Sequence, residues 1–256
     1  MILVADVGNT NIVMGVMHED ELVTRFKITT QTSYTSDEYG VLILNILEKN
    51  GVYVGDITGS IIGSVVPDIM YSLRKAFEKY IKTKPLIVQA GTKTGIAIKC
   101  DNPKEVGADR IVNCVAANEL YGSPCIVIDF GTATTYDILN SKSEFIAGIT
   151  SPGIRISADA LWKNTAQLPH VEIKITKGIL DAKNTITSMQ TGLVYGYIGQ
   201  VEYIINRAKI EMNEPNLKVI ATGGLANIIR EGTDVIEVYD PILTLKGLNL
   251  IYKKNI

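Results

Sequence analysis

Four short segments carry residue types suited to handling a phosphate-bearing ligand. In Asp6-Val7-Gly8-Asn9-Thr10-Asn11 an acid ends an apolar run, and a glycine lets the backbone turn tightly and come close to a ligand. Asn9 and Thr10 add short side-chain donors beside exposed backbone N–H groups. Such a turn can hold phosphate oxygens without a lysine, and Asp6 can hold Mg²⁺ through water. Gly-Asn is equally a good hairpin pair, so this segment alone also reads as a plain turn. Asp129-Phe130-Gly131-Thr132-Ala133-Thr134-Thr135 repeats the design, crowding hydroxyls and a carboxylate at a strand end. Thr222-Gly223-Gly224 supplies a third glycine turn, suited to backbone approach by an adenosine or simply to a positive φ.

The fourth segment, Asn102-Pro103-Lys104-Glu105-Val106-Gly107-Ala108-Asp109-Arg110, leads into a predicted helix reaching about Leu120. An Asp at a helix start can serve as a cap and compensate the dipole. Arg110 adds a planar anion-binding fork, and a helix N-terminus carrying an Arg suits a carboxylate or phosphate ligand. The chemistry leaves both roles for Asp109 open.

Other catalytic signatures are missing. There is no GxxxxGK[ST], no GxGxxG after a strand, no GxSxG and no HExxH. The two histidines, His18 and His170, sit in polar or proline-flanked surroundings. General acid–base work therefore falls to a carboxylate. Cys100, Cys114 and Cys125 are odd in number and lack CxxC spacing, which predicts reduced thiols in a cytoplasmic protein. The net charge is -2 with no basic block, so no nucleic-acid or anionic-membrane surface is expected. MILVADVGNTN lacks a basic leader, and the apolar stretches fall short of the roughly 20 residues of a membrane helix.

The elements that must position these residues form a pattern that recurs. Ile2 to Val7, Ile12 to Met17 and Leu22 to Ile28 read as three strands. Ser36 is expected to cap a helix running to Asn50-Gly51; Ile57 to Val66 is β-rich; Pro67 opens a helix through Tyr80. Ile126 to Thr132, Thr134 to Leu139 and Phe145 to Ile149 then read as a second strand set. Predicted helices follow over Ile154 to Lys163 and Thr187 to Lys209, and a strand over Lys218 to Ala221. VADVGNTN overlays VIDFGTAT at an offset of 123 residues for both the Asp and the Gly. This predicts a duplicated α/β chain of 256 residues, with lobes over 1–117 and 118–256 joined by a packed helix.

DVGNTN, NPKEVGADR, DFGTATT and ATGG, in this order and spacing, resemble the type III pantothenate kinases over nearly the whole chain, to the PILTLKGL segment at Pro241–Leu248. The resemblance implies two ribonuclease H-like lobes with ATP in a cleft between them, and transfer of the γ-phosphate to the primary hydroxyl of pantothenate, the first step of coenzyme A synthesis. On that resemblance Asp109 is the base, and Gly107, Ala108 and Arg110 line the pantothenate site with it. The loop through Asp6, Val7, Gly8, Asn9, Thr10, Asn11, Ile12 and Val13 takes ATP phosphates and Mg²⁺, Thr132 takes phosphate from the second lobe, and Gly223 and Gly224 take the adenosine. Asp129 binds a monovalent cation, K⁺ or NH₄⁺, and Thr185 touches pantothenate. Cys100 departs from the pattern, since many members have Tyr there. A contact at that position loses a ring and a phenolic hydroxyl.

Two rivals belong to the same superfamily: a non-catalytic nucleotide-binding regulator and a phosphatase that uses water in place of the alcohol. The intact GADR segment speaks against the regulator. Gly192, Gly196 and Gly199 recur at spacings of 4 and 3 in the Thr187 to Lys209 helix, so another backbone must come close there. That backbone is either the chain's own sheet or, as the resemblance implies, a second subunit of a homodimer that helps complete the pantothenate site.

Overall fold

A computed structural model describes residues 1–256. In chain order, β1 (Ile2–Val7), β2 (Asn11–His18) and β3 (Glu21–Thr29) are followed by helix α1 (Ser36–Lys49) and strand β4 (Gly59–Ser64). Helix α2 (Met70–Ala76), strands β5 (Leu86–Ile87) and β6 (Ala97–Ile98), and helix α3 (Ala108–Tyr121) come next. Strands β7 (Cys125–Phe130), β8 (Ala133–Leu139) and β9 (Glu144–Pro152) precede helices α4 (Ile154–Lys163) and α5 (Thr185–Met212). Strand β10 (Lys218–Thr222), helix α6 (Ala226–Arg230), strand β11 (Val238–Tyr239) and helix α7 (Leu243–Asn255) complete the chain.

Two compact units result. The first holds residues 1–95, 101–116 and 242–256; the second holds 96–100 and 117–241. The sequence expectation put everything past residue 117 in the second lobe. Instead α7 returns to the first unit, because its apolar side packs there: Leu245 lies against Gly15 of β2, and Tyr252 against Gly59 of β4. Asn249 of α7 also donates to the carbonyl of Glu19, 2.7 Å away.

Each unit is built on one sheet of the same plan. In the first the strand order is β3-β2-β1-β4-β5, with β1, β2 and β3 antiparallel and β4 and β5 parallel to β1. In the second, β9-β8-β7-β10-β11 repeats that order and those directions, with β6 added beyond β9. The central strands are buried apolar runs, Leu3-Val4-Ala5 and Ile126-Val127-Ile128, as a strand covered on both faces requires. Separate apolar cores form around each: Leu3, Met14, Tyr39, Ile62 and Phe77 in one, Ile128, Tyr136, Val194, Ile205 and Val219 in the other. The offset of 123 residues carries β1 onto β7 end to end.

Several local expectations shift. Thr35, not Ser36, caps α1: its hydroxyl accepts the Glu38 N–H while the Glu38 carboxylate accepts the Thr35 N–H, a reciprocal capping box. Pro67 starts a short 3₁₀ turn before α2, and the helical path then widens into a π turn over Phe77–Ile81. The glycine-bearing helix begins at Thr185, capped by Asn184.

Candidate active site

The carboxyl ends of the central strands carry the predicted acids. In β1, Asp6 pairs with Val13 of β2 and Gly63 of β4, and the chain then turns through Gly8, Asn9 and Thr10. The Gly8 N–H donates to the carbonyl of Asn11 at 3.0 Å, closing the loop. Asn9 and Thr10 are exposed at its tip, whereas Ile12 is wholly buried in β2 and serves the core. In the second unit Asp129 pairs with Thr135 and Thr222, and the Gly131 N–H donates to the Ala133 carbonyl at 3.1 Å. This loop is one residue shorter than the first, since Phe130 pairs with Thr134 where Val7 pairs with Ile12.

Residues paired across a sheet share a face, so Thr135 and Thr222 flank the Asp129 carboxylate with hydroxyls. Gly223, at φ +93°, passes so close that a Cβ there would stand 2.6 Å from an Asp129 carboxylate oxygen and 2.6 Å from the Phe130 nitrogen. Only glycine fits this φ and this approach. Gly224, one residue on, is open to solvent. Gly153, which precedes α4, abuts the carbonyls of Gly131 and Thr132, and a side chain there would strike both. The first turn of α4 is thereby brought to the second loop. Sequence reading found α4 but not this approach, because the contact joins residues 21 and 22 apart through sheet register.

Asp109 lies in the first turn of α3, next to the same end of the first sheet. Val65, whose N–H donates to the Val7 carbonyl at 3.1 Å, lies against Gly107. A Cβ on Gly107 would stand 2.5 Å from an Asp109 carboxylate oxygen, so that glycine makes room for the acid. The carboxylate accepts the Arg110 N–H at 2.9 Å. Burial pushes the Asp109 carboxyl above its usual range, while the N–H and the charge of Arg110 pull it partly back. The residue therefore does satisfy a helix-end donor, as a cap does, and at the same time keeps a partly buried carboxylate of raised basicity. Ala108 and Arg110 are half-buried beside it.

Thr185 is the first residue of α5 and is exposed. Cys100 is half-buried two residues past β6, where the chain leaves the second unit. No group of three or more His, Cys, Asp or Glu side chains is placed to hold a metal ion by itself. The donors at Asp129, a carboxylate between hydroxyls, are all oxygen and suit a hard cation of low charge. Asp6 offers a single carboxylate, suited to a Mg²⁺ ion that keeps most of its water.

Two duplicated α/β units, each with an acid and a glycine loop at the carboxyl end of its central strand, define a phosphotransferase-type fold of the actin-like ATPase class. The activator of 2-hydroxyisocaproyl-CoA dehydratase from Clostridium difficile, solved with bound ADPNP, shares the fold at a TM-score of 0.56. It is 12% identical, with 98% of this chain and 93% of that chain covered. The chain belongs to the type III pantothenate kinase family, whose sequence model matches residues 2–207. The type III pantothenate kinase of Agathobacter rectalis is 57% identical over 254 residues, 99% of this chain and 97% of the relative. That of Bacillus cytotoxicus is 53% identical over 256 residues, 100% of this chain and 97% of the relative.

Proposed function

We propose that this chain transfers the γ-phosphate of ATP to the primary hydroxyl of pantothenate, giving 4′-phosphopantothenate for coenzyme A synthesis, with Asp109 as the base. The observation that carries the assignment is Asp109 itself. Its carboxylate is partly buried, raised in basicity and held against Gly107 at the sheet end that also carries Asp6. A base of that kind accepts a hydroxyl proton more readily than an exposed aspartate. Gly107, Ala108 and Arg110 line the pantothenate side, with the Arg110 guanidinium suited to the substrate carboxylate.

In the first unit the loop from Asp6 to Val13 is suited to ATP phosphates on its exposed tip; in the second unit, taken by itself, Thr132 is suited to phosphate. Gly223 and Gly224 leave room for the adenosine. Mg²⁺, held through water at Asp6, neutralises phosphate charge when bound. Asp129, Thr135 and Thr222 hold the monovalent cation, K⁺ or NH₄⁺. Position 100 contributes at most apolar contact, since Cys lacks the reach of a tyrosine.

A homodimer completes the site, with Thr185 delivered to the pantothenate bound by a partner subunit. The support is the face of α5 bearing Gly192, Gly196 and Gly199. All three are exposed, and a Cβ at any of them meets no atom of another element within 4 Å. The chain's own sheet thus does not account for these glycines. No helix is long and apolar enough to cross a membrane, and Cys100, Cys114 and Cys125 are outside any disulfide, which suits the reducing cytoplasm.

The test is ADP release in KCl with and without pantothenate. Pantothenate-dependent release supports the kinase. Release independent of pantothenate makes the chain a phosphatase, and no release makes it a regulator.

A further inference from the structure

Thr30 follows β3, 22 residues from Gly8 of the first loop in sequence, and no motif marks it. Its hydroxyl donates to the carbonyl of Gly8 at 2.7 Å, and its backbone N–H donates to the carbonyl of Thr10 at 3.1 Å. Both grips are on the loop backbone, one either side of Asn9. Peptide groups are planar and trans, so a C=O and the N–H of the next residue point in opposite directions; the chain's one cis bond, Ser123-Pro124, is not in this loop. Turning the Gly8 and Thr10 carbonyls toward Thr30 therefore turns the N–H groups of Asn9 and Asn11 away from it. A loop that must present donors to phosphate gains by having those peptide planes set before the ligand arrives.

Thr30 is itself anchored. Tyr39 of α1, fully buried, donates its hydroxyl to the carbonyl of Gln31 at 2.7 Å and accepts the Gln31 N–H at 3.2 Å. The edge of the Tyr34–Tyr39 pair, with ring centroids 5.3 Å apart, packs the tyrosine in place. A continuous path thus runs from the core of the first unit through Gln31 and Thr30 to the loop.

We propose that Thr30 is a positioning residue for ATP. By gripping two carbonyls of the loop it aims the Asn9 and Asn11 N–H groups at the phosphates, and Tyr39 holds it in register. The inference rests on the assignment of the Asp6 to Val13 loop to ATP. The comparison is Thr30→Val, which removes the hydroxyl but keeps the shape and the backbone N–H, against Thr30→Ser, which keeps both donors. Calorimetric titration with Mg-ADP, KM for ATP and for pantothenate, and thermal melting are read for each, with Asp6→Asn as the reference for the loop.

Thr30→Val should weaken ADP binding and raise KM for ATP about tenfold, the scale of one hydrogen bond. KM for pantothenate should stay within about twofold, Thr30→Ser should match the parent, and Tyr39→Phe should give a smaller change of the same kind. Thr30 is half-buried at a strand end, so the variants should fold; should Val not, Thr30→Ala makes the same comparison. If Asp6→Asn weakens ADP binding while the Thr30 variants that lack the hydroxyl bind like the parent, this inference is wrong and the loop assignment stands. If both bind like the parent, the loop assignment itself fails. A fall in melting temperature with both KM values moved equally makes Thr30 a structural residue only and overturns the proposal.

Discussion

At the residue scale, Asp109 shows how one side chain can serve the fold at its own expense. Its carboxylate satisfies a helix-end N–H yet sits where burial disfavours the charged form. A carboxyl whose folded pKa is raised contributes stability below its unfolded value, and that contribution is lost as pH rises through the folded pKa. Above its folded pKa the ionised Asp109 is therefore a cost to stability. Asp109→Asn, which can still accept the Arg110 N–H, should melt above the parent at about pH 8, with the difference shrinking toward the usual Asp pKa of about 4. The same variant should lose roughly 10² or more in kcat, the scale of a removed general base, with ADP binding retained. Near-parent turnover would reduce Asp109 to a cap. In the parent, kcat/KM should fall as pH drops through the raised Asp109 pKa, and a flat acid limb would contradict the assignment.

At the element scale, strands and helices are joined by glycines that permit close approach. Gly223 after β10 adjoins Asp129 of β7, so the turn proposed for the adenosine and the carboxylate proposed for the cation are mechanically coupled. Activity should rise with K⁺ and be low in Na⁺ alone, and Asp129→Asn should lose that dependence; equal rates of the parent in KCl and NaCl would refute the cation role. Helix α5 poses the reverse case. Gly192, Gly196 and Gly199 share an exposed face with Tyr203, 72% exposed, and Ile210, 70% exposed. Changing the three glycines to alanine removes about 1 kcal/mol of helix penalty at each. In a monomer, where nothing opposes the new methyls, the variant should simply melt higher. With a second helix seated on this face it should dissociate and lose pantothenate-dependent activity, which is the outcome expected here. Light scattering during gel filtration distinguishes the two.

At the scale of the whole molecule, the proposed homodimer would divide each site between two subunits. Asp109 belongs to the first unit and Thr185 opens the helix that bears the glycine face in the second. Mixing Asp109→Asn with Thr185→Arg subunits and allowing exchange should restore activity, because some heterodimers regain one site with both residues intact. Exchange shown by mass spectrometry without return of activity would assign each site to a single chain.

Period and punctuation made much of this protein legible in one dimension. Asp6-Val7-Gly8 and Asp129-Phe130-Gly131 end apolar runs long enough to be central strands, and strand geometry then forces both acids to the same kind of sheet end. The offset of 123 residues was visible because duplication preserves the strand and the start of its loop, and β7 is β1 displaced by that number. The Asp109 segment, with its glycine, acid and arginine, was a candidate on resemblance, since its local chemistry left capping and catalysis both open. What no local pattern contains is which residues are brought together by register and by the return of the chain. Thr222 and Thr135 reach Asp129 only through sheet pairing, Gly153 reaches the second loop only because β9 leads α4 there, and Thr30 grips Gly8 across 22 residues. Helix α7 reads as a tail of the second lobe and packs in the first, since its apolar face is satisfied by Gly15 and Gly59 of a sheet begun more than 180 residues earlier. Hydrogen bonding and steric fit are short in space, not along the chain, so these contacts were decided by the tertiary structure alone.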